Sequence, residues 1–496
     1  MAGDNRPNIL WYCTDQQRFD TIRALGNSFI NTPNIDRLVS EGVAFSNAYC
    51  QSPICTPSRA SFLTGRYPAS TQVHRNGNES FPDHEVLVSK LFADAGYECG
   101  LVGKLHLSRS DILERRPTDD GYSYFKWSHH PNPDYPTGHD YADWLEAKGI
   151  DPQELYGSLS GAIGPGVPDE LHQTTWCTEM SVDFITSRRD RPWLLSINPF
   201  DPHPPFDPPP EYLSRYNPEE LPLPLFQPSD MEHQRLLYEI DQQTREAIDP
   251  RNAAESAQTV DMSGVARGDL GSVPPSSYDP RMVMACYYAM IEKIDQSLGV
   301  LLDTLEQTGQ RDNTIVLFTS DHGELLGDHG LIYKGCRFFE GLTHVPLVMS
   351  WPGQFASNVR NNALVELVDL APTLLECAGV EIPYYMQGKS LLPLLRDPGS
   401  HPHHKDHVVC EYHGAVGGKA MWDQTHGTMY YDGRYKVCVY AGHDIGEIYD
   451  LQTDPQEFDN LWHNRSFSQK KSDLLLRSYH AYMGTVTPGV RRTGVY

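Results

Sequence analysis

Positive charge, paired cysteines and long hydrophobic runs are all scarce in this chain, and each shortage excludes something. Against 65 Asp and Glu stand 40 Lys and Arg, a formal net charge of −25. Such a surface repels phosphate backbones and anionic lipid heads, which excludes nucleic acid and a membrane surface as partners. An anionic ligand must therefore be held by a local cluster of cations. The ten cysteines are scattered, with no Cys-x-x-Cys pair. That spacing excludes a disulfide scaffold and leads us to expect a reducing, cytoplasmic compartment. No run is long enough to span a bilayer, and Met1 to Pro7 is short and polar, unlike a secretory leader. What the chain does have is length: 496 residues suggest a large domain with a smaller partner.

Apolar runs alternate with helical periods, the pattern of a largely parallel sheet covered on both faces. Asn8 to Tyr12, Tyr97 to Val102, Trp193 to Asn198, Thr314 to Thr319 and Val345 to Ser350 read as strands. Thr32-Pro33 opens a helix that Gly42 closes, and Glu85 to Ala95 reads as another, stopped by Gly96. Arg281 to Gln307 repeats apolar residues at Ile291, Ile294, Leu298, Leu301 and Leu305, a helical period. Phe200 to Pro280 breaks the rhythm. It is rich in proline and acid, with little periodicity beyond Leu236 to Ile248, and reads as an excursion over the sheet's rim. A lid or a subunit contact would suit it, which leaves a homo-oligomer open. After about Asp397, short segments such as Met429 to Tyr431 and Tyr435 to Tyr440 suggest an antiparallel sheet. The expectation is an α/β fold in two parts. Residues 1–395 would form a large mixed, mostly parallel sheet sandwiched by helices, and 396–496 a smaller α+β domain.

Cys55-Thr56-Pro57-Ser58-Arg59, continuing through Ala60-Ser61-Phe62-Leu63-Thr64-Gly65-Arg66, carries the chemistry. Thr56 reads as an N-cap and Pro57 as the first helical residue. Cys55 then lies just outside a helix N-terminus, where free N–H groups favour negative charge, with the Arg59 cation one turn in. A buried structural cysteine is the plain alternative. A cysteine-phosphatase thiolate is a poorer one, because only three residues separate Cys55 from Arg59, too few to wrap a phosphate. Open α/β sheets bind ligands beyond the carboxyl ends of their strands. Four expected strands run out into Asp15-Gln16, Lys104-Leu105-His106, Asp201-Pro202-His203 and Asp321-His322-Gly323. Lys104 and His106 share a face if the backbone stays extended. Taken singly, each is as readily a turn, cap or solvated residue. The His401-Pro402-His403-His404 tract reads as a solvated loop, since no carboxylate or cysteine shares its spacing.

The run from Cys55 to Arg66 matches C-x-P-S-R-x-x-x-L-T-G-R at every specified position. It resembles the signature of the type I, formylglycine-dependent sulfatases of the alkaline phosphatase superfamily. In order along the chain, Asp15-Gln16, Lys104 and His106, His203, Asp321-His322 and Lys334 stand where that family places its site residues. Asn76 stands where several relatives place a sulfate-contacting amide. The resemblance runs from Asn8 to about Leu395. It implies an alkaline-phosphatase-like fold and oxidation of Cys55 to formylglycine by a formylglycine-generating or equivalent maturation enzyme. It also implies one divalent cation held by Asp15, Gln16, Asp321, His322 and the modified Cys55. Substrate contacts would come from Asn76, Lys104, His203 and Lys334, with Arg59, Lys104 and Lys334 neutralising charge. His203 or Lys334 would protonate the leaving alkoxide, and His106 would be the base for a second hydroxyl. A hydrated aldehyde offers two hydroxyls on one carbon: one attacks sulfur, and deprotonating the other expels sulfate by C–O cleavage.

Two positions depart from the common sulfatase pattern, Gln16 in place of a second Asp and His322 in place of Asn. Both are similar to bacterial phosphonate monoester hydrolases, which share the formylglycine but lack the Lys-x-His pair kept here. Hard oxygen ligands suit Ca²⁺, the usual sulfatase ion, while the imidazole makes Mn²⁺ the alternative. The implied function is hydrolysis of a small anionic aryl or alkyl sulfate to phenol or alcohol plus sulfate. Hydrolysis of phosphonate monoesters or phosphodiesters at the same site is the alternative. A catalytically dead binding protein would lack a charged site residue, and none is missing.

Overall fold

The computed structural model describes residues 6–110, 113–131, 138–157, 159, 161–244, 246–251, 274–275, 277–414, 425–489, 491 and 493. The strands are β1 (Asn8–Thr14), β2 (Val43–Phe45), β3 (Ala48–Tyr49), β4 (Glu98–Gly103), β5 (Tyr122–Trp127), β6 (Trp193–Asn198), β7 (Thr314–Ser320), β8 (Leu347–Ser350), β9 (Val359–Asn361), β10 (Val365–Glu366), β11 (Val408–His413), β12 (His426–Tyr431), β13 (Tyr435–Tyr440) and β14 (Gly446–Asp450). Eight form one sheet in the order β5-β4-β6-β1-β7-β8-β2-β9. Its pairs are parallel except the two made by β8. β11 to β14 form an antiparallel sheet in sequence order. The expected α/β class is the one observed.

Burial on both faces explains why the central strands read as unbroken apolar runs. Along β1, Ile9, Trp11 and Cys13 enter one core, and Leu10 and Tyr12 enter the other. β7 alternates in step, with Ile315 and Leu317 on the first side and Val316 and Phe318 on the second. Helices Pro33–Glu41, Gln173–Thr186 and the 28-residue Pro280–Gln307 cover the second core. Helices Cys55–Thr64, Val88–Asp94 and Leu370–Cys377 cover the first, and Cys410, Met429 and Cys438 carry it into the antiparallel sheet. All ten cysteines are buried and unpaired. Among the described residues no helix is long and apolar enough to cross a membrane.

Several boundaries differ from expectation. Gly42 does not close its helix in a left-handed cap; it is extended at φ −144°, and a Cβ there would lie 2.3 Å from the Met349 carbonyl oxygen. Close approach to β8 is what requires glycine. The second helix begins at Val88, not Glu85. In the Pro-rich excursion the longest described helix is Pro228–Leu236, ending where the periodicity was expected to begin. The following turn packs onto the site segment, Gln243 N donating to the Lys334 carbonyl at 3.1 Å. Residues 245, 252–273 and 276 of that excursion lie outside the described residues. The histidine tract is not wholly solvated. His401 and His403 are exposed, but His404 is buried with Nε2 3.2 Å from Asp369 Oδ2, a carboxylate too distant in sequence to show in the local spacing.

Gly103 ends β4 at φ 96°, and a Cβ on it would stand 2.1 Å from the Asn198 carbonyl oxygen. Strain and overlap each cost about 1–3 kcal/mol. Gly103→Ala should therefore lower the urea midpoint and displace Lys104, the next residue. An unchanged midpoint would contradict the close approach.

Candidate active site

β4, β6, β1 and β7 are consecutive neighbours in the sheet, so the four strand ends singled out by sequence open onto one rim. Gly103 pairs with Asn198, and Thr14 with Ser320. Asp15 N donates to the Asp201 carbonyl at 3.1 Å, and Gln16 N to Asp321 Oδ1 at 3.0 Å. Gln16 and His106 both adopt positive φ, 69° and 56°. Such strained backbone is tolerated where a side chain must be aimed. The Lys104/His106 pairing thus comes from a turn after β4, not from continued extension.

Cys55 is itself the first residue of the helix, with Ile54 at the N-cap, so the helix starts two positions earlier than expected. The Thr56 hydroxyl is buried without a partner, and the Thr56 N–H is met instead by Asn76 Oδ1 at 2.9 Å. A remote residue supplies the cap, and Pro57 is tolerated because first-turn N–H groups need no intrahelical partner. The Asn76 amide nitrogen makes no hydrogen bond among the described residues.

Around Cys55 Sγ stand Lys334 Nζ at 3.0 Å, His322 Nε2 at 3.2 Å, Asp15 Oδ1 at 3.7 Å and Lys104 Nζ at 3.8 Å. Lys104 Nζ also donates to Asp15 Oδ2, and Lys334 Nζ to Gln16 Oε1 at 2.7 Å. Arg59 Nε donates to Asp321 Oδ2 at 2.8 Å, with Nη2 3.6 Å from Asp15. Burial and Asp15 oppose ionisation of the thiol, yet Lys104, Lys334 and His322 outweigh both and hold it below the usual thiol value. Burial likewise works against the Asp15 carboxylate, but Lys104, His203, Arg59 and Lys334 hold it well below the usual range. Local cations thus dominate a chain whose net charge is strongly negative.

The imidazoles are fixed by backbone carbonyls. His322 Nδ1 donates to Gly323 O at 2.8 Å and its Nε2 faces Cys55 Sγ. Although burial opposes the charge, Asp321 and Cys55 hold this ring above the usual imidazole value. His203 Nδ1 donates to Pro204 O at 2.6 Å and presents Nε2 as an acceptor. His106 packs edge-on against His129 at 4.3 Å, and the Nδ1 of both is buried without a partner. Burial holds His106, His129 and His203 well below the usual imidazole range, and pushes His139 and His172 down to about 4. Unfolded, such groups titrate near pH 6.5, so on acidification the unfolded chain takes up protons that the folded chain refuses. Their contribution to stability should be full above about pH 6.5 and fall through it toward the folded values, by about 1.4 kcal/mol per pH unit for each group. Asp201 and Asp295, pushed by burial up to about 7, act in the opposite sense. Proton NMR should find these five rings still neutral at about pH 5.5 in the folded chain; protonation near pH 6.5 would contradict this linkage.

Asp15, Cys55, Asp321 and His322 each offer a donor atom, all within 4.8 Å of one another, and Gln16 Oε1 adds an amide oxygen through its contact with Lys334. Two carboxylates, an amide oxygen and an imidazole lone pair suit one divalent ion. Sequence reasoning missed the supports. Glu324, buried, accepts from Gln16 Nε2 and so turns Oε1 inward, and Ser58 Oγ bonds the Asp321 carbonyl at 2.5 Å. Glu114 receives the backbone N–H groups of His106 and Leu107. Only the adjacency of Glu324 to Asp321-His322-Gly323 was available as a signal.

A family model described as "Sulfatase" matches residues 7–380, and one described as "N-sulphoglucosamine sulphohydrolase, C-terminal" matches residues 327–479. An arylsulfatase of Clostridium perfringens (strain 13 / Type A) is 29% identical over 485 residues, covering 94% of this chain and 92% of the relative. A choline-sulfatase of Rhizobium meliloti (strain 1021) is 29% identical over 481 residues, covering 92% and 83%. A solved phosphonate monoester hydrolase of Agrobacterium radiobacter is similar in fold, with a TM-score of 0.78 over 97% of this chain and 96% of that one at 22% identity.

Proposed function

Because the chain belongs to the sulfatase family, we propose that it hydrolyses sulfate monoesters through a formylglycine made from Cys55, with one divalent ion. One observation carries the reading: a thiol at a helix start, met by two ammonium groups and an imidazole beside two carboxylates. Formylglycine supplies paired hydroxyls, one to attack sulfur and one whose deprotonation expels sulfate. The ion, Ca²⁺ first and Mn²⁺ as the alternative, supplies Lewis acidity and charge neutralisation when bound. Cys55 is 1% exposed in the folded chain, so the maturation enzyme would act before folding is complete.

The chain's own groups divide the remaining work. Asp15, Gln16, Asp321 and His322 hold the ion, and Arg59 pins Asp321. Lys104, Lys334 and the Asn76 amide nitrogen bind the sulfate oxygens. Lys334 is held above its usual range by Cys55 and Asp15 against the pull of burial, so it keeps a proton to give. We assign it, ahead of His203, to protonate the leaving oxygen; His203 offers an acceptor nitrogen and orients the alcohol. His106 takes the second hydroxyl's proton through its unpartnered Nδ1. Lys334→Ala should then cost about 10²–10⁴-fold in kcat for an alkyl sulfate and clearly less for a nitrophenyl sulfate, whose phenolate needs no proton. Equal losses on both esters would remove Lys334 as the acid.

Gln16 and His322 favour the second reading, hydrolysis of phosphonate monoesters or phosphodiesters. We expect kcat/KM for a nitrophenyl sulfate to exceed that for the matching phenylphosphonate, because Lys104 and His106 add cationic and proton-transfer capacity beside the nucleophile. A preference for phosphonate by a decade, about 1.4 kcal/mol, would make that reading the better one. The named activities of the relatives suggest an aryl, choline or sugar sulfate as substrate. We also keep the division into a catalytic domain over 1–395 and a smaller domain over 396–496. The unpaired cysteines support a cytoplasmic setting.

A further inference from the structure

A second cluster of ligating groups lies where the antiparallel sheet meets the loop before Asn76. Glu411 and His413 are two apart on β11 and so share a face, and His426 on β12 is the cross-strand partner of His413. The His413 and His426 rings stack at 3.7 Å, and His74 stacks on His413 at 4.2 Å. Donor atoms of Glu411, His413 and His426 lie within 4.8 Å of one another. The Glu411 side chain is fully buried. It accepts from Ala69 N at 3.0 Å and meets His413 Nε2 at 3.1 Å, yet no lysine or arginine pairs with it among the described residues. A buried carboxylate without a counter-charge is costly. His74 hydrogen-bonds the Pro68 carbonyl, while its Nε2 is buried without a partner. That is the arrangement that fixes a ligating imidazole.

We propose that Glu411, His413 and His426, with His74 stacked against them, form a second metal site, outside the catalytic centre, for a borderline-soft divalent ion such as Zn²⁺. One carboxylate with imidazole nitrogens is a zinc donor set, and an acid-x-His pair on one strand with a histidine opposite presents it on a rigid frame. Two imidazoles on one tetrahedral ion need ring centres roughly 5 Å apart. The ion would therefore part the His413/His426 stack, which both half-buried rings allow. Because His74, two residues before the Asn76 cap of the nucleophile helix, stacks on His413, the ion would tie the antiparallel sheet to that helix.

The site is read from its own residues and does not depend on the catalytic assignment. Wild-type protein carrying its catalytic ion would be dialysed against Zn²⁺ and, separately, titrated with Co²⁺ while visible absorption and Tm are followed. The expected result is one Zn²⁺ equivalent beyond the catalytic ion, a tetrahedral Co²⁺ absorption band and a raised Tm. Glu411→Gln and the double variant His413→Ala/His426→Ala should lose all three, and Asp321→Asn should keep the extra equivalent. No extra equivalent in the wild type, or the same one in the double variant, would overturn the proposal. If the variants fail to fold, X-ray absorption at zinc in the wild type decides. An imidazole-rich shell supports the site, and a sulfur or all-oxygen shell overturns it.

Discussion

Cys55→Ala should lower kcat/KM for a nitrophenyl sulfate by roughly 10⁴–10⁶-fold, the scale on which a catalytic nucleophile is lost. The fold should survive. Cys55 contributes one small side chain, and after its removal Lys334 Nζ still bonds Gln16 Oε1 while Lys104 still pairs with Asp15. Cys55→Ser separates the two halves of the reaction. A single hydroxyl can attack sulfur, but with no second hydroxyl on the same carbon the expelling step is missing. The serine variant should release about one alcohol per enzyme molecule and then stop. Steady turnover by Cys55→Ser, or activity retained by Cys55→Ala, would place the nucleophile elsewhere.

Asp321→Ala should abolish ion binding and reduce activity by on the order of 10³-fold or more, because a single carboxylate, Asp15, then remains in the donor set. Stability should fall with it. Asp321 and Arg59 are both buried, and their 2.8 Å pair is the guanidinium's shortest contact with a carboxylate. Leaving a buried cation without its partner costs about 3–5 kcal/mol. Asp321→Asn keeps shape and a hydrogen-bond acceptor, so it should lose the ion with a smaller loss of stability. The ion content by mass spectrometry and urea unfolding of both variants check the two effects separately. Full ion occupancy in Asp321→Ala would contradict the donor set.

Much of the site was legible because parallel strands buried on both faces read as plain apolar runs, and each run ends where a polar group must begin. β1, β6 and β7 were each found to within two residues, and Asp15, Lys104, His203 and Asp321 followed from where the strands stop. The unread parts are those assembled across distance. β2, β9 and β10 have three residues or fewer, too short for an alternation to register. β5 lies at the sheet edge and is only partly buried, so its sequence is mixed. The cap on the nucleophile helix comes from Asn76, which no local capping pattern near Thr56 could announce. Glu324 looks like a turn residue until its bond to Gln16 is seen. Glu411, His413 and His426 become a cluster only through the β11–β12 register.

The whole scheme rests on what residue 55 is in active enzyme. Trypsin should release Leu38 to Arg59 as one peptide containing both Cys50 and Cys55, so Cys50 serves as an internal thiol control. After alkylation, mass spectrometry of that peptide should show Cys50 alkylated and residue 55 unalkylated, carrying an aldehyde in place of its thiol. The aldehyde fraction should rise in proportion to specific activity across preparations. Fully active enzyme in which Cys55 is quantitatively alkylated as an unmodified thiol would contradict the formylglycine mechanism.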